Sequence, residues 1–464
     1  MKLLANCGIV YVVNLNNQNR VLILVIGDIL AYLFSLILTL TVRYGEIPTR
    51  TLLISHLPSF SILFILFLIV IFSAGLYNKQ STFFRGKIQS LLLKAQIINI
   101  FVGIAFFYIA PVSITPKANL AIFFIISTAV LFLWRIVMFP VFGSSRAQPA
   151  ILIGNNDDIQ DLYDEVNSNM RYSLFFKDRV NSSQSHESLA SLISEKLQLS
   201  KATIIVADLR DKSIESIMPF LYSQAFSGKQ IIDASKLYEA IFDRIPLAMI
   251  GEKWFVENAG LAMGERRVFD FVKRFMDIMI ALTLGIVSLL LYPFLCILIR
   301  LEDGGTAFIK QKRIGRRNKQ IDIIKFRSMT SNDCGSYIAN GGKTQLRVTR
   351  IGKFIRLMRL DELPQLWSVI KGDQSLIGPR PELPDLVKIY EKEIPYYHVR
   401  HLVKPGLSGW AQIYHHAHPH HAVAVGDTRD KLSYDLYYVK NRSPFLDIRI
   451  AFQTAKALLS RQGV

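Results

Sequence analysis

Cysteine is scarce in this chain: Cys7, Cys296 and Cys334 lie far apart and form no Cys-x-x-Cys pair. A disulfide framework and a zinc knuckle are both excluded as organising devices, which fits soluble parts facing a reducing compartment. Acidic residues are also short, with 36 Asp and Glu against 54 Lys and Arg and a formal net charge of +18. That balance excludes an acidic, self-solvating chain and calls for anionic partners. The N-terminus shows no compact apolar core followed by a small-residue cleavage site, so no cleaved signal peptide is expected. Glycine is missing where a dinucleotide fingerprint needs it, in the turn "GNNDD" that follows the apolar run "AILIG".

Apolar residues, by contrast, are abundant. They make up 51% of 464 residues, and the mean hydropathy is +0.30, too apolar for a soluble chain of this length. Runs long enough to span hydrocarbon occur at Val21 to Val42, Leu57 to Leu76, Ala95 to Val112 and Ala118 to Phe139, so a four-helix transmembrane domain over 1–147 is expected. Lys2 and Arg20 precede the first run, Lys79, Arg85 and Lys87 separate the second from the third, and Arg146 follows the fourth. The positive-inside bias then places both flanks of the bundle in the cytoplasm. Asp28, inside the first run, is expected to face the bundle interior and hydrogen-bond a neighbour. With spans present, lipid headgroups and phosphorylated substrates outrank nucleic acid as the anionic partners.

Over 148–268 the composition turns soluble. "AILIG", "TIIVAD" and "QIID" read as buried parallel strands separated by helices, a small doubly wound, degenerate Rossmann-like domain with a structural or regulatory role. The last part, 269–464, opens on a run from Ile278 to Ile299 that is interrupted by Pro293. Arg266, Arg267, Lys273 and Arg274 lie before it and Arg300, Lys310, Lys312, Arg313, Arg316 and Arg317 after it. A helix that enters the membrane, breaks near Pro293 and returns to the same face keeps both clusters inside, so a re-entrant hairpin over about 275–300 is expected rather than a fifth span.

Chemistry concentrates further on. In "TRIGKFIRLMRL" Ile351, Phe354, Ile355 and Met358 share one helical face while Arg350, Lys353, Arg356 and Arg359 project elsewhere, the pattern of a helix in a membrane interface, with a soluble amphipathic helix on a domain core as the alternative. Pro364 then opens a second helix, "PQLWSVIK", which Gly372 can terminate. Asp361 and Glu362 precede that helix; alone, they read as capping acids. Their neighbours shift the reading. Arg380 is clamped between two prolines in "GPRPE", and Lys325 and Arg327 come off a strand end in "IIKFRSM". Acids among cations at a membrane surface suit phosphoryl transfer, one carboxylate attacking phosphorus and another helping to hold Mg2+.

"KRFMDI", "KQKRIG", "KFRSM", "DELPQLW", "KGDQSLIGPRPE", "VKPGLSGWAQI" and "YDLYYVKN", in that order, resemble the bacterial polyprenyl-phosphate phosphoglycosyl transferases. The bundle and the middle domain make the chain similar to that superfamily's large monotopic branch. The resemblance implies a membrane α-helical bundle, an α/β Rossmann-like domain and a mainly α monotopic catalytic domain. It also implies transfer of a sugar 1-phosphate from a UDP-sugar to undecaprenyl phosphate, with release of UMP, in the initiation of a cell-surface polysaccharide at the inner membrane. By motif position Asp361 corresponds to the nucleophile, Glu362 to the Mg2+-binding acid of the pair, and Lys325, Arg356 and Arg380 to phosphate-binding cations. Large relatives further suggest a homodimer. Ser368 departs from the Asn usual in the family. The loop "HHAHPHHA" (His415 to Ala422) reads as solvent- or substrate-facing rather than as a metal site. Two other readings stay open: a glycosyl transferase that moves sugar without phosphate, and an inactive scaffold or export component of polysaccharide assembly.

Overall fold

The computed structural model describes residues 17–74, 76–77, 85–109, 117–138, 148–169, 172, 174–183, 186–258, 267–330, 348–414 and 425–459. It divides into two compact units, Met1–Ala234 and Ser235–Val464.

The first unit begins with helices α1 (Asn17–Tyr44), α2 (Arg50–Ser73), α3 (Arg85–Ile109) and α4 (Lys117–Phe132), the last continued by a π-helical turn, Leu133–Met138. The first three are long and apolar enough to cross a membrane, whereas the fourth is a shorter apolar helix, Asn119–Arg135. Arg135 lies near its end, and its charge is answered inside the bundle. Its Nε donates to Asp28 Oδ1 at 3.0 Å, a second nitrogen pairs with Oδ2, and Tyr77 donates to the same carboxylate at 2.7 Å. Asp28 is fully buried, so it does face the bundle interior. Tyr32, Phe60, Phe64, Phe67 and Phe123 belong to the bundle's apolar core.

An α/β layer follows: β1 (Gln148–Ile153), α5 (Asp157–Ser168), β2 (Leu174–Val180), α6 (His186–Ser200), β3 (Ile204–Ala207), α7 (Lys212–Ser216), α8 (Met218–Phe226) and β4 (Gln230–Asp233). The strands are parallel in the order β2-β1-β3-β4. β1 and β3, buried along almost their whole length, are the continuous apolar runs anticipated from sequence. β2, "LFFKDRV", was not anticipated, because it lies at the sheet edge and alternates buried with exposed residues.

The second unit runs through α9 (Ala234–Phe242), α10 (Glu252–Glu257), α11 (Arg267–Leu289) and α12 (Tyr292–Asp303). Ile245 and Trp254, expected in the middle domain, lie in this unit's main core with Trp410, Leu432, Leu436 and Tyr438. α11 and α12 are bent by 57° at a break of a few residues, with Pro293 in the first turn of α12, where a missing N–H costs nothing. The antiparallel hairpin β5 (Phe308–Ile314) and β6 (Gln320–Phe326) comes next, then α13 (Arg350–Leu357), a 3-10 turn at Leu360–Glu362 and α14 (Gln365–Lys371). β7 (Ser375–Ile377) pairs in parallel with β8 (Gly406–Ser408), with α15 (Pro384–Glu393) and a 3-10 stretch, Tyr397–Leu402, between them. α16 (Trp410–Tyr414), α17 (Val425–Asn441) and α18 (Pro444–Leu459) complete the unit. The expected histidine-rich loop lies outside the described residues.

Candidate active site

Three chain segments meet at the acid pair. β6 brings Lys325 along the hairpin. Thr349 caps α13 through Gly352 N, and Glu302 accepts from the backbone N–H of Arg350 at 2.6 Å, so α13 is anchored to the end of α12. Gly352 lets that helix press on the chain after β6, since a Cβ there would lie 2.0 Å from the Ser328 carbonyl oxygen. The helix ends at Met358, and Arg359 takes a left-handed φ of 51° that turns the chain into the Leu360–Glu362 segment. Such a conformation costs a non-glycine residue free energy and persists where surrounding contacts hold it. Its consequence is to point both acids back toward β6 and the Gly378–Glu382 loop.

Glu362 is fully engaged. Its Oε1 accepts from Arg380 at 2.9 Å and lies 3.7 Å from Lys325 Nζ, while Oε2 is 3.9 Å from Arg359. Burial would raise its pKa, but Arg380, Lys325 and Arg359 outweigh that and hold it down to about 2, so it is ionised throughout the neutral range. Arg380 is held protonated in turn, chiefly by Glu362. Asp361 differs. It makes no hydrogen bond or ion pair among the described residues, and burial followed by the neighbouring Glu362 charge raises its pKa, against the pull of Lys325, Arg356 and Arg380. Burial and then Arg380 push Lys325 down to about 8 despite its acidic neighbour. The site therefore has one neutralised carboxylate and one unpartnered carboxylate facing net positive charge.

The expected site residues are brought together with two exceptions, Arg327 and Pro293. Lys325 and Arg380 contact Glu362, and Arg356 acts on Asp361 through its charge while its Nε donates to Ser328 Oγ at 2.9 Å. Arg327 is not among the contacts of the acid pair. It is buried, its guanidinium lies against Gly305, and a Cβ on that glycine would sit 1.9 Å from it. Pro293 stands away in the hairpin break, as a structural residue. Arg359, read from sequence only as an interfacial cation, is a third partner of Glu362.

Sequence reading also missed what holds the loop carrying Arg380. Arg274 donates to the carbonyls of Val369 and Ile370 at 2.6 and 2.7 Å, capping the end of α14. Asp277 accepts from Ser375 Oγ at 2.8 Å and Leu376 N at 3.2 Å. Both belong to "KRFMDI", where the spacing of a cation and an acid one helical turn apart was the available signal. Gly378 and Gly406 let β7 and β8 cross closely, for a Cβ on Gly406 would fall 2.1 Å from Gly378 N.

Among the described residues no group of three or more His, Cys, Asp or Glu could hold a metal ion. The donor set nonetheless suits Mg2+ shared with a ligand, because that ion is commonly held by one or two carboxylates and completed by substrate phosphates. Glu362, the ligand expected from sequence, already faces three cations, so for it to hold the ion one of them would have to yield.

A family model described as "Bacterial sugar transferase" matches residues 268–461. A UDP-N-acetylgalactosamine-undecaprenyl-phosphate N-acetylgalactosaminephosphotransferase of Aeromonas hydrophila is 38% identical over 263 residues, 56% of this chain and 59% of that protein. A UDP-glucose:undecaprenyl-phosphate glucose-1-phosphate transferase of Xanthomonas campestris pv. campestris is 37% identical over 35% of this chain and 34% of its own length. The exopolysaccharide production protein PSS of Rhizobium leguminosarum bv. phaseoli is 38% identical over 41% of this chain and 96% of its own length. The matched stretch thus spans about half or less of the first two relatives and almost all of the third.

Proposed function

This chain belongs to the bacterial sugar transferase family, and from that premise we propose that it transfers a sugar 1-phosphate from a UDP-sugar to undecaprenyl phosphate in two steps. In the first, an Asp361 oxygen attacks the β-phosphorus. The bond from that phosphorus to the oxygen bridging the two phosphates breaks, and UMP leaves with the electron pair. In the second, an oxygen of undecaprenyl phosphate attacks the same phosphorus and Asp361 departs as carboxylate. The atoms balance without a further reactant.

The observation that carries this reading is the asymmetry of the acid pair. Glu362 is bound to Arg380, Lys325 and Arg359 and cannot easily turn outward, whereas Asp361 keeps its oxygens unpartnered beside the same cations. A nucleophile needs a free lone pair, and a diphosphate needs cations near the attacked phosphorus. Mg2+, when bound, would neutralise diphosphate charge. Everything else in the site is supplied by the chain: Arg380 and Lys325 to take phosphate oxygens and Arg356 to favour ionised Asp361. The bent helix pair supports a re-entrant hairpin that keeps the site at the cytoplasmic surface, where a lipid phosphate and a soluble nucleotide can meet.

Asp361→Asn is expected to lower UMP release from UDP-sugars by about a thousandfold or more while the protein still inserts in membranes. Robust turnover by that variant would remove Asp361 as nucleophile. The same assay is expected to stop when divalent cations are chelated. Release of UDP instead of UMP would favour glycosyl transfer without phosphate, and no release with any UDP-sugar would favour a scaffold.

A further inference from the structure

The loop Gly378–Glu382 carries Arg380 between two prolines, so two of its five residues offer no N–H for anchoring. The chain uses the carbonyls instead, and three elements, β5, β8 and the Tyr397–Leu402 stretch, supply the donors. Gly406 N donates to Pro379 O at 3.0 Å, Arg400 to Arg380 O at 2.9 Å, Arg313 to Pro381 O at 3.3 Å and Ile314 N to Glu382 O at 2.9 Å. Of the two side chains, Arg400 is the buried one, 3% exposed. The rest of the guanidinium is held as well: Nε and Nη2, the nitrogen that also reaches Arg380 O, lie 2.9 and 2.7 Å from Asp435 Oδ2, and Nη1 donates to the Tyr397 hydroxyl at 2.7 Å. The Glu382 carboxylate closes the frame through Lys431 at 3.0 Å.

A planar guanidinium with all three nitrogens engaged has one orientation, unlike an ammonium on a flexible stem. We propose that Arg400, fixed by Asp435 and Tyr397, is a positioning residue that sets the Arg380 backbone and thereby aims the Arg380 guanidinium at Glu362 and at the phosphate oxygens of the donor. The proposal rests on the phosphoryl-transfer reading of the site. Arg400 itself is not among the described contacts of the acid pair. Its effect passes through one carbonyl oxygen, and this makes a separable prediction. Any loss caused by disturbing Arg400 should disappear once Arg380 has no guanidinium to aim.

The experiment is a double-mutant cycle in the full chain reconstituted in nanodiscs, comparing Arg400→Lys, Arg380→Ala and the two together. Arg400→Lys keeps the charge but cannot fill the fork, and is expected to lower kcat/KM for UMP release about tenfold or more. In the Arg380→Ala background it is expected to add less than about twofold. Because the buried pair with Asp435 is costly to disturb, Tyr397→Phe serves as the milder variant; it removes one hydroxyl and is expected to give a loss of about threefold with the same dependence on Arg380. Hydrogen exchange over residues 378–383 is read in parallel, and both variants are expected to speed it. Losses that multiply independently of Arg380, or unchanged exchange in that loop, overturn the positioning role. If the wild-type chain releases no UMP, the catalytic reading falls while the exchange measurement still decides the role of Arg400.

Discussion

Burial raises the proton affinity of Asp361, Asp208 and Asp435 alike, because a carboxylate loses more hydration than a carboxylic acid. Glu362 and Glu382 are driven the other way by the cations around them. Asp208 lets this be tested apart from the chemistry. At the end of β3 it is 6% exposed, accepts from Arg210 N at 3.2 Å, and is pushed from 3.8 up to about 6 by burial and then by Asp233 and Asp211. Between those values the folded chain binds more protons than the unfolded one, so stability falls as pH rises, by roughly 3 kcal/mol in all. Asp208→Asn should therefore stabilise the chain at pH 8 and change little near pH 4, as read by thermal unfolding. No gain at pH 8 would show that Asp208 is not held in an unfavourable environment. At this scale the sequence singled out Asp361, Glu362, Arg380 and Lys325 as candidates from three separate motifs, and the fold places them together. The sequence was silent on Arg400, Glu382 and Asp435. Their meaning depends on α17 and the 397–402 stretch folding back over the loop, and nothing local announces that.

Strands β7 and β8 are only three residues each, yet they set the height of the Arg380 loop. Their pairing requires Gly378 and Gly406 to touch backbone to backbone, and any side chain must push them apart. Gly406→Ala is thus expected to cost about 1–3 kcal/mol of stability and to reduce UMP release beyond what that loss explains, because the loop moves with the strand. A variant with normal melting and normal kinetics would mean the strands can separate without consequence. Helices were more legible than these strands. α14 starts beside Pro364 and stops at Gly372, which takes a φ of 99°, as the proline and glycine imply. α13 was only partly read. Its apolar residues do not form one exposed stripe, since Ile355 is fully buried against Leu295, Ile299 and Phe326 while Phe354 and Met358 stay about half exposed. The helix has both a core side and an outward apolar side, and periodicity alone cannot separate two adjacent apolar faces.

Over the whole molecule, a net charge of +18 and the three to four membrane-length apolar helices among the described residues constrain topology more than any single motif. The bent pair is the decisive part. Its first arm is tied to the second unit by Lys273 to Asp447 at 2.7 Å, by Arg274 and by Asp277, so only residues 278–289 are left to enter lipid. At about 1.5 Å per residue that stretch rises roughly 18 Å, against a hydrocarbon core of about 30 Å. The second arm, Tyr292–Glu302, is shorter still, and Glu302 binds α13 of the same unit. Two arms that each reach part-way, with both outer ends fastened to one packed body, support entry and return on a single face. Cysteines introduced at Phe271→Cys and Lys310→Cys, in a chain whose three native cysteines are replaced, sample the two outer ends at exposed positions. Both are expected to resist a membrane-impermeant maleimide in intact spheroplasts and to react in inverted vesicles. Labelling of Lys310→Cys from outside with Phe271→Cys protected would make the pair a broken span, and the acid pair could then no longer lie on one face with the start of the helix that leads to it.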